Sequence, residues 1–259
     1  MIADTHNAAM RTTYKKAGTL STAWLIAWRQ MLEAIRDRST LITSGFFLVL
    51  QTVLVLISVV PAMGDHSAKG MSNAGFLMAF YLLFVGLMPS APAIGIASGV
   101  FAGDKERGSL VPLLVTPASN TAIFGGKVLG AVLPALLYSL IGILVYFLEI
   151  VLLIGIDKLG LLPTALSVLI VLLIPGIVFF GAALASVISS RVSTFQSAQN
   201  YSSFILIVLW FGLGALFFLE GTLGLWTFGA AVVGIYVLDV VLIIASAMTW
   251  KREEVMAKQ

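Results

Sequence analysis

The sequence predicts an all-α integral membrane protein: six transmembrane helices preceded by an amphipathic interfacial helix, with both termini cytoplasmic. Three observations predict it. Of 259 residues, 59% are hydrophobic and only 10% charged, and the mean hydropathy of +1.05 far exceeds what the core of a soluble domain requires. The apolar residues collect into six stretches, each near the ~20 residues that a helix needs to cross the hydrocarbon with its own backbone satisfied. Finally, the basic residues lie almost entirely on one side of those stretches.

The spans are predicted at 40–60, 75–100, 128–156, 163–188, 204–219 and 226–248. An even number of crossings returns the C-terminus to the side of the N-terminus. With that side cytoplasmic, residues 1–39, 101–127, 189–203 and 249–259 hold every Lys and Arg except Lys69 and Lys158. Basic loops are retained in the cytoplasm, which fixes the orientation. The same asymmetry accounts for the pI near 9.2 without any nucleic-acid partner. Loops are short and no repeat recurs at a fixed period. Residues 1–259 read as one transmembrane domain, with tails at 1–18 and 249–259, an interfacial helix at 19–38 and a six-span core at 40–248.

Several chemistries are disfavoured by composition. The basic N-terminal stretch lacks the short apolar core and small-residue cleavage site of a signal peptide. Zero cysteines exclude disulfides, thiolate metal sites and thiol nucleophiles. His6 and His66 fall on opposite faces of the membrane, so a histidine metal centre is not expected. Gly125-Gly126-Lys127-Val128 lacks both the upstream glycine and the following hydroxyl of a phosphate loop, so the chain is expected to bind no ATP and no other cofactor. Asn200-Tyr201-Ser202 fits a glycosylation acceptor, but the topology puts it in the cytoplasm.

Before the first span, Leu20, Trp24, Ala27, Trp28, Met31, Leu32 and Ile35 recur at three- and four-residue spacing, with Arg29, Gln30, Glu33, Arg36 and Asp37 opposite. That pattern predicts a helix in the membrane surface, its tryptophans at headgroup depth. It serves either as an anchor among membrane lipids or as a lever touching a cytoplasmic partner.

The segment between the second and third spans carries the strongest motif. Asp104, Lys105, Glu106 and Arg107 precede Gly108-Ser109-Leu110, the apolar pair Leu113 and Leu114, and Thr116-Pro117; Gly126-Lys127 is read as opening the third span. A short amphipathic element of this kind fits a groove on another protein, although charges at a span end also mark a membrane boundary. The run resembles the first cytoplasmic loop of the membrane subunits of type-2 ATP-binding-cassette exporters, nearest in flavour to bacterial sodium- and drug-efflux permeases. The N-terminal helix, the six spans, the Ser/Gln-rich second cytoplasmic loop and the exit through Trp250-Lys251-Arg252 extend the likeness over nearly the whole chain. Two departures are Val111-Pro112, where the family usually has a carboxylate, and the short 220–225 connection between the last two spans.

The resemblance implies a plasma-membrane transport subunit without its own ATPase site. It implies two ATPase subunits carrying ATP and Mg, and a second copy of the chain or a related permease. It also assigns the contact with those subunits to Asp104, Lys105, Glu106, Arg107, Gly108, Ser109, Leu110, Leu113 and Leu114, with Arg191 in the second loop as a further contact.

Small residues mark where helices meet. Gly95, Gly99 and Gly103 lie on one face of the second span, and Pro89 and Pro92 predict a kink there; the face serves either the pathway or ordinary packing. Ala182, Ala183, Ala185 and Ser186 form a similar patch in the fourth span. Charges inside spans are costly, which singles out Asp239, either a cation or proton site or a structural carboxylate. Glu149 is read as a boundary or exit-vestibule residue at the outer end of the third span.

An exporter subunit is the reading that unites these features. A stand-alone intramembrane enzyme needs carboxylates, histidines or a nucleophile clustered at one depth, which the sequence does not supply. A passive channel leaves the loop motif unexplained. The apolar spans suit a small hydrophobic or amphipathic cargo such as a drug, lipid-like molecule or peptide, with an ion left open through Asp239.

Overall fold

The computed structural model describes residues 19–64, 67–88, 91–109, 116 and 118–249. These residues fold into helices and no strand. In order they are α1 (Thr19–Arg36), α2 (Arg38–Ala62), α3 (Ala68–Leu87), α4 (Ala91–Glu106), α5 (Asn120–Glu149), α6 (Thr164–Arg191), α7 (Phe195–Leu223) and α8 (Trp226–Thr249). Among the described residues, six helices are long and apolar enough to cross a membrane.

Polar residues set the helix starts. The carboxylate of Asp37 accepts from the Thr40 amide to cap α2, and Ser67, Ser119 and Thr194 cap α3, α5 and α7 in the same way. Each side-chain oxygen satisfies an amide that has no partner within its helix. Among the described residues two π-helical turns occur, Val55–Val59 inside α2 and Ile150–Ile154 extending α5, which Gly155 ends at φ 107.

The structure moves several predicted boundaries. The third span begins at Asn120 rather than 128, so Gly126-Lys127 lies inside α5 and does not open it. The fifth begins at Phe195 rather than 204, converting most of the expected second loop into helix. Polar helix ends carry no hydrophobic signal, and only their caps mark them. The second span is not one helix: it stops at Leu87, and α4 starts at Ala91 with Pro92 in its first turn. Proline has no amide proton to donate, so a break belongs there; Pro89 lies outside the described residues.

The core surrounds α6, which packs against α3, α4, α5, α7 and α8. One cluster, including Met78, Leu82, Tyr146, Ile170, Leu173, Phe217 and Phe228, joins α3 and α5 to α6, α7 and α8. A second, built from Ala97, Phe101, Ile123, Ala131, Ala182 and Ala185, joins α4, α5 and α6. The alanine patch expected in the fourth span is buried there, and its small side chains allow close helix approach.

α1 lies against α5. A Cβ on Gly126 would sit 2.7 Å from the Ala23 carbonyl oxygen, and one on Gly130 2.7 Å from Gln30 Cβ. Those two glycines therefore let the helix backbones meet. The face of α1 that packs carries Ala23, Ile26, Ala27 and Gln30. Trp24 and Trp28, with ring centroids 6.2 Å apart, remain exposed beside it.

Candidate functional site

The charged run falls at the end of α4, and its helix stops for a definable reason. Ser109 N–H donates to the Asp104 carbonyl at 3.0 Å and Gly108 N–H to that of Lys105 at 3.1 Å, with Gly108 at φ 66. That paired closure is a Schellman turn, and its left-handed residue favours glycine. The Ser109 hydroxyl adds a bond to the Asp104 carboxylate at 3.0 Å.

Three of the four charges are engaged within the protein, each on a different helix. The Asp104 carboxylate pairs with Lys127 of α5, whose ammonium also donates to the Val100 carbonyl at 2.6 Å and lies 5.0 Å from the Phe101 ring centroid. Lys127 is only 3% exposed, so this pair and its carbonyl bond make the burial of a charge tolerable. Lys105 Nζ donates to the carbonyls of Ser190 at 2.8 Å and Val192 at 3.1 Å, at the end of α6. Glu106 Oε1 accepts from the amide of Phe195 at 2.9 Å, at the start of α7. A cation at a helix C-terminus and an anion at an N-terminus both complement the backbone dipole. Arg107 and Arg191 are exposed. Leu110, Leu113 and Leu114 lie outside the described residues.

A single hydroxyl joins α4 to α6. Ser189 Oγ donates to the Ser98 carbonyl at 2.6 Å and accepts from the amides of Phe101 at 3.1 Å and Ala102 at 2.9 Å, fully buried.

The glycine face of α4 behaves differently from a packing stripe. Only Gly99 is tightly opposed, by the Phe195 ring at 2.8 Å from an added Cβ; Gly103 has ordinary contact with the same ring, and Gly95 has nothing within 4 Å. Gly95, Gly99, Gly103 and Pro92 instead line a cleft of about 840 Å³ between α1, α2, α4 and α7. Its polar wall includes Glu33, Asp37, Asp104, Arg107 and Ser202.

The two intramembrane carboxylates lie apart. Asp239 is 5% exposed on α8, and its Oδ1 has no hydrogen-bond partner; the side chains of Ser246 and Thr249, considered as partners from sequence, are outside the described residues. Glu149, read from sequence as a boundary or exit-vestibule residue, is turned toward the protein interior. It is 8% exposed, accepts from the Thr52 hydroxyl, and leaves Oε2 buried without a partner. The parallel course of α2 beside α5 turns it inward, and Gln51 Nε2 reaches the Gly142 carbonyl at 3.3 Å along the same seam.

Sequence reasoning missed the roles of Ser189, Thr52, Gly130 and the inward side of Lys127. An isolated cation eight residues inside an apolar helix was the one signal available for Lys127. Among the described residues, no group of three or more His, Asp or Glu side chains is placed to hold a metal ion.

No curated protein matches the chain. The model of the ABC-2 type transporter family matches residues 22–248, a span that takes in α1, the tied end of α4, the cleft and all six apolar helices. The chain therefore belongs to the ABC-2 type transporter family, as a transmembrane component of an ABC transporter.

Proposed function

We propose that this chain is the permease half of an ATP-driven exporter, with the 103–119 loop docking separate ATPase subunits at the cytoplasmic face. The observation that supports this is the bracing at the start of that loop. Asp104 ties α4 to α5, Lys105 ties it to α6, and Glu106 ties it to α7. A push on the loop therefore displaces four helices together instead of bending one. Arg107, Leu110, Leu113 and Leu114 remain as the contacts for the partner, with Arg191 of the second cytoplasmic segment as a further one.

The working unit is two such permeases, identical or related, with two ATPase subunits that hold ATP and Mg. ATP turnover belongs to those subunits, because this sequence lacks a phosphate loop. The cargo is small and hydrophobic or amphipathic, and its path begins at the cleft beside Gly95 and Gly99. The exposed Trp24 and Trp28 rest at headgroup depth.

The test is purification with and without the partner ATPase. The chain alone hydrolyses no ATP, and the pair hydrolyses it. Turnover by the isolated chain overturns the reading, as does failure of the two to co-purify. Orientation is checked in the same membranes, since the chain has no native cysteine. A cysteine at Asp157 is labelled from outside by an impermeant maleimide, and one at Ser109 only after permeabilisation; the reverse pattern overturns the cytoplasmic assignment.

A further inference from the structure

We infer that the lipid-facing side of the α1–α2 corner binds an anionic phospholipid, its phosphate held by Arg36 and Arg38 and its acyl chains lying along Leu41, Ile42, Phe46 and Val49. Such a site goes beyond the permease reading and depends on neither cargo nor ATPase.

Opposite charges at this corner lie on different faces. Glu33 and Asp37 line the cleft together with Ser39, Thr40 and Thr43, whereas Arg36 and Arg38 form no part of its wall. Both carboxylates are also occupied. Asp37 accepts from the amide and hydroxyl of Thr40 at 2.8 and 2.7 Å, and Glu33 pairs with Arg29. Arg36 and Arg38 are exposed and, among the described residues, stand in no ion pair. Two residues apart, their Cα atoms lie within about 7 Å of each other. Two uncommitted guanidiniums therefore meet one ligand, with planar donor sets that match phosphate oxygens.

What lies beneath them decides the class. Helical spacing puts Arg38 on the side of α2 that carries Leu41 and Ile42, three and four residues on. Phe46 and Val49 continue that side, and all four are exposed, Ile42 at 72%. No acidic residue occurs from 38 to 62. On α1, Arg36 follows Leu32 by one turn, on the flank of the exposed Trp28. An outward apolar face on a helix that crosses the membrane is covered by acyl chains, so the charges at its end stand at headgroup depth. Holding a basic segment in the cytoplasm needs only its charge; a pair of arginines turned away from the carboxylates and set above a lipid face also recognises a headgroup. A zwitterionic lipid brings its own cation to the phosphate, and an anionic one leaves the phosphate to the arginines.

The full chain in dodecyl maltoside is titrated with dioleoylphosphatidylglycerol or dioleoylphosphatidylcholine, and its melting temperature is followed, since a ligand of the folded state raises it by mass action. A saturable rise is expected with phosphatidylglycerol, at lower concentration than with phosphatidylcholine. Arg36→Gln and Arg38→Gln each weaken the apparent affinity for phosphatidylglycerol about fivefold, the effect of one arginine at a lipid surface. Lys158→Gln, in the turn between α5 and α6, leaves it unchanged, and glycerol phosphate, a headgroup without chains, produces no rise. If Arg38→Gln, at the start of α2, fails to fold, Arg36→Gln decides alone. Equal response to the two lipids overturns the proposal, as does an unchanged preference in Arg36→Gln or an equal loss in Lys158→Gln. A rise with glycerol phosphate matching that with the lipid overturns the part played by the apolar face.

Discussion

Glu106 and Phe195, 89 residues apart in sequence, are joined by a hydrogen bond of 2.9 Å from the Phe195 amide to the Glu106 carboxylate. The end of α4 thereby caps the start of α7. A residue that reads from sequence as a free charge for a partner also holds its own fold together, and that changes how its variants are to be interpreted.

Glu106→Ala removes the acceptor of the Phe195 amide, leaving the Thr194 cap in place, and is expected to cost about 1 kcal/mol, seen as a melting temperature lower by a few degrees. Arg107→Ala, in an exposed turn, is expected to change stability by less than about 0.5 kcal/mol. Loss of ATPase association in Arg107→Ala at an unchanged melting temperature reports the partner contact directly. Equal destabilisation by the two variants contradicts the cap.

The Asp104–Lys127 pair is asymmetric, with side-chain exposures of 33% and 4%. Asp104→Leu strands a buried ammonium and is expected to cost about 3–5 kcal/mol. Lys127→Met costs less, because the carboxylate left behind reaches water. The double variant is expected to be more stable than the sum of the singles implies. Additive melting shifts across this cycle are the contrary result.

Gly126 and Gly125 are neighbours with opposite surroundings. Gly126→Leu drives a side chain into α1 and is expected to lower folded yield sharply, whereas Gly125→Leu meets nothing within 4 Å at its Cβ and is expected to fold. Size-exclusion profiles in detergent compare the two. Similar profiles disprove the tight seam between α1 and α5.

Asp239 keeps a buried oxygen without a hydrogen-bond partner, which is a standing penalty. Asp239→Leu is expected to raise stability by about 1–3 kcal/mol, the desolvation cost of an unsatisfied polar group. A lower melting temperature shows instead that the carboxylate has a stabilising partner. Export measured against sodium and pH gradients in Asp239→Asn then assigns any role in transport.

Hydrophobic content made the six crossings legible, because lipid demands long apolar helices and nothing else in the chain resembles them. Their ends were less legible. Segments such as 120–127 and 195–203 are helical yet polar or mixed, and only a capping Ser119 or Thr194 marks their start. The site was legible as a motif and not as a set of contacts. Lys105 and Glu106 stand out in sequence, but their partners, at 190–195, are chosen by the packing of α4 on α6. The spacing of glycines 95, 99 and 103 predicts a close-packing face, yet the seam with α1 lies at 126 and 130; spacing alone cannot tell which small face meets a helix and which meets open space.

The three bonds of the Ser189 hydroxyl also determine how this protein is able to deform. A slide of α4 along α6 by one turn, about 5.4 Å, breaks all of them inside a seam closed to water, where solvent offers no replacement. Register between the two helices is therefore expected to be kept through a working cycle. Compliance is expected in α2 and α8, the least buried of the six apolar helices. Large displacements are therefore expected in those two outer helices about a stiffer centre, and a disulfide engineered between α4 and α6 is expected to leave them free.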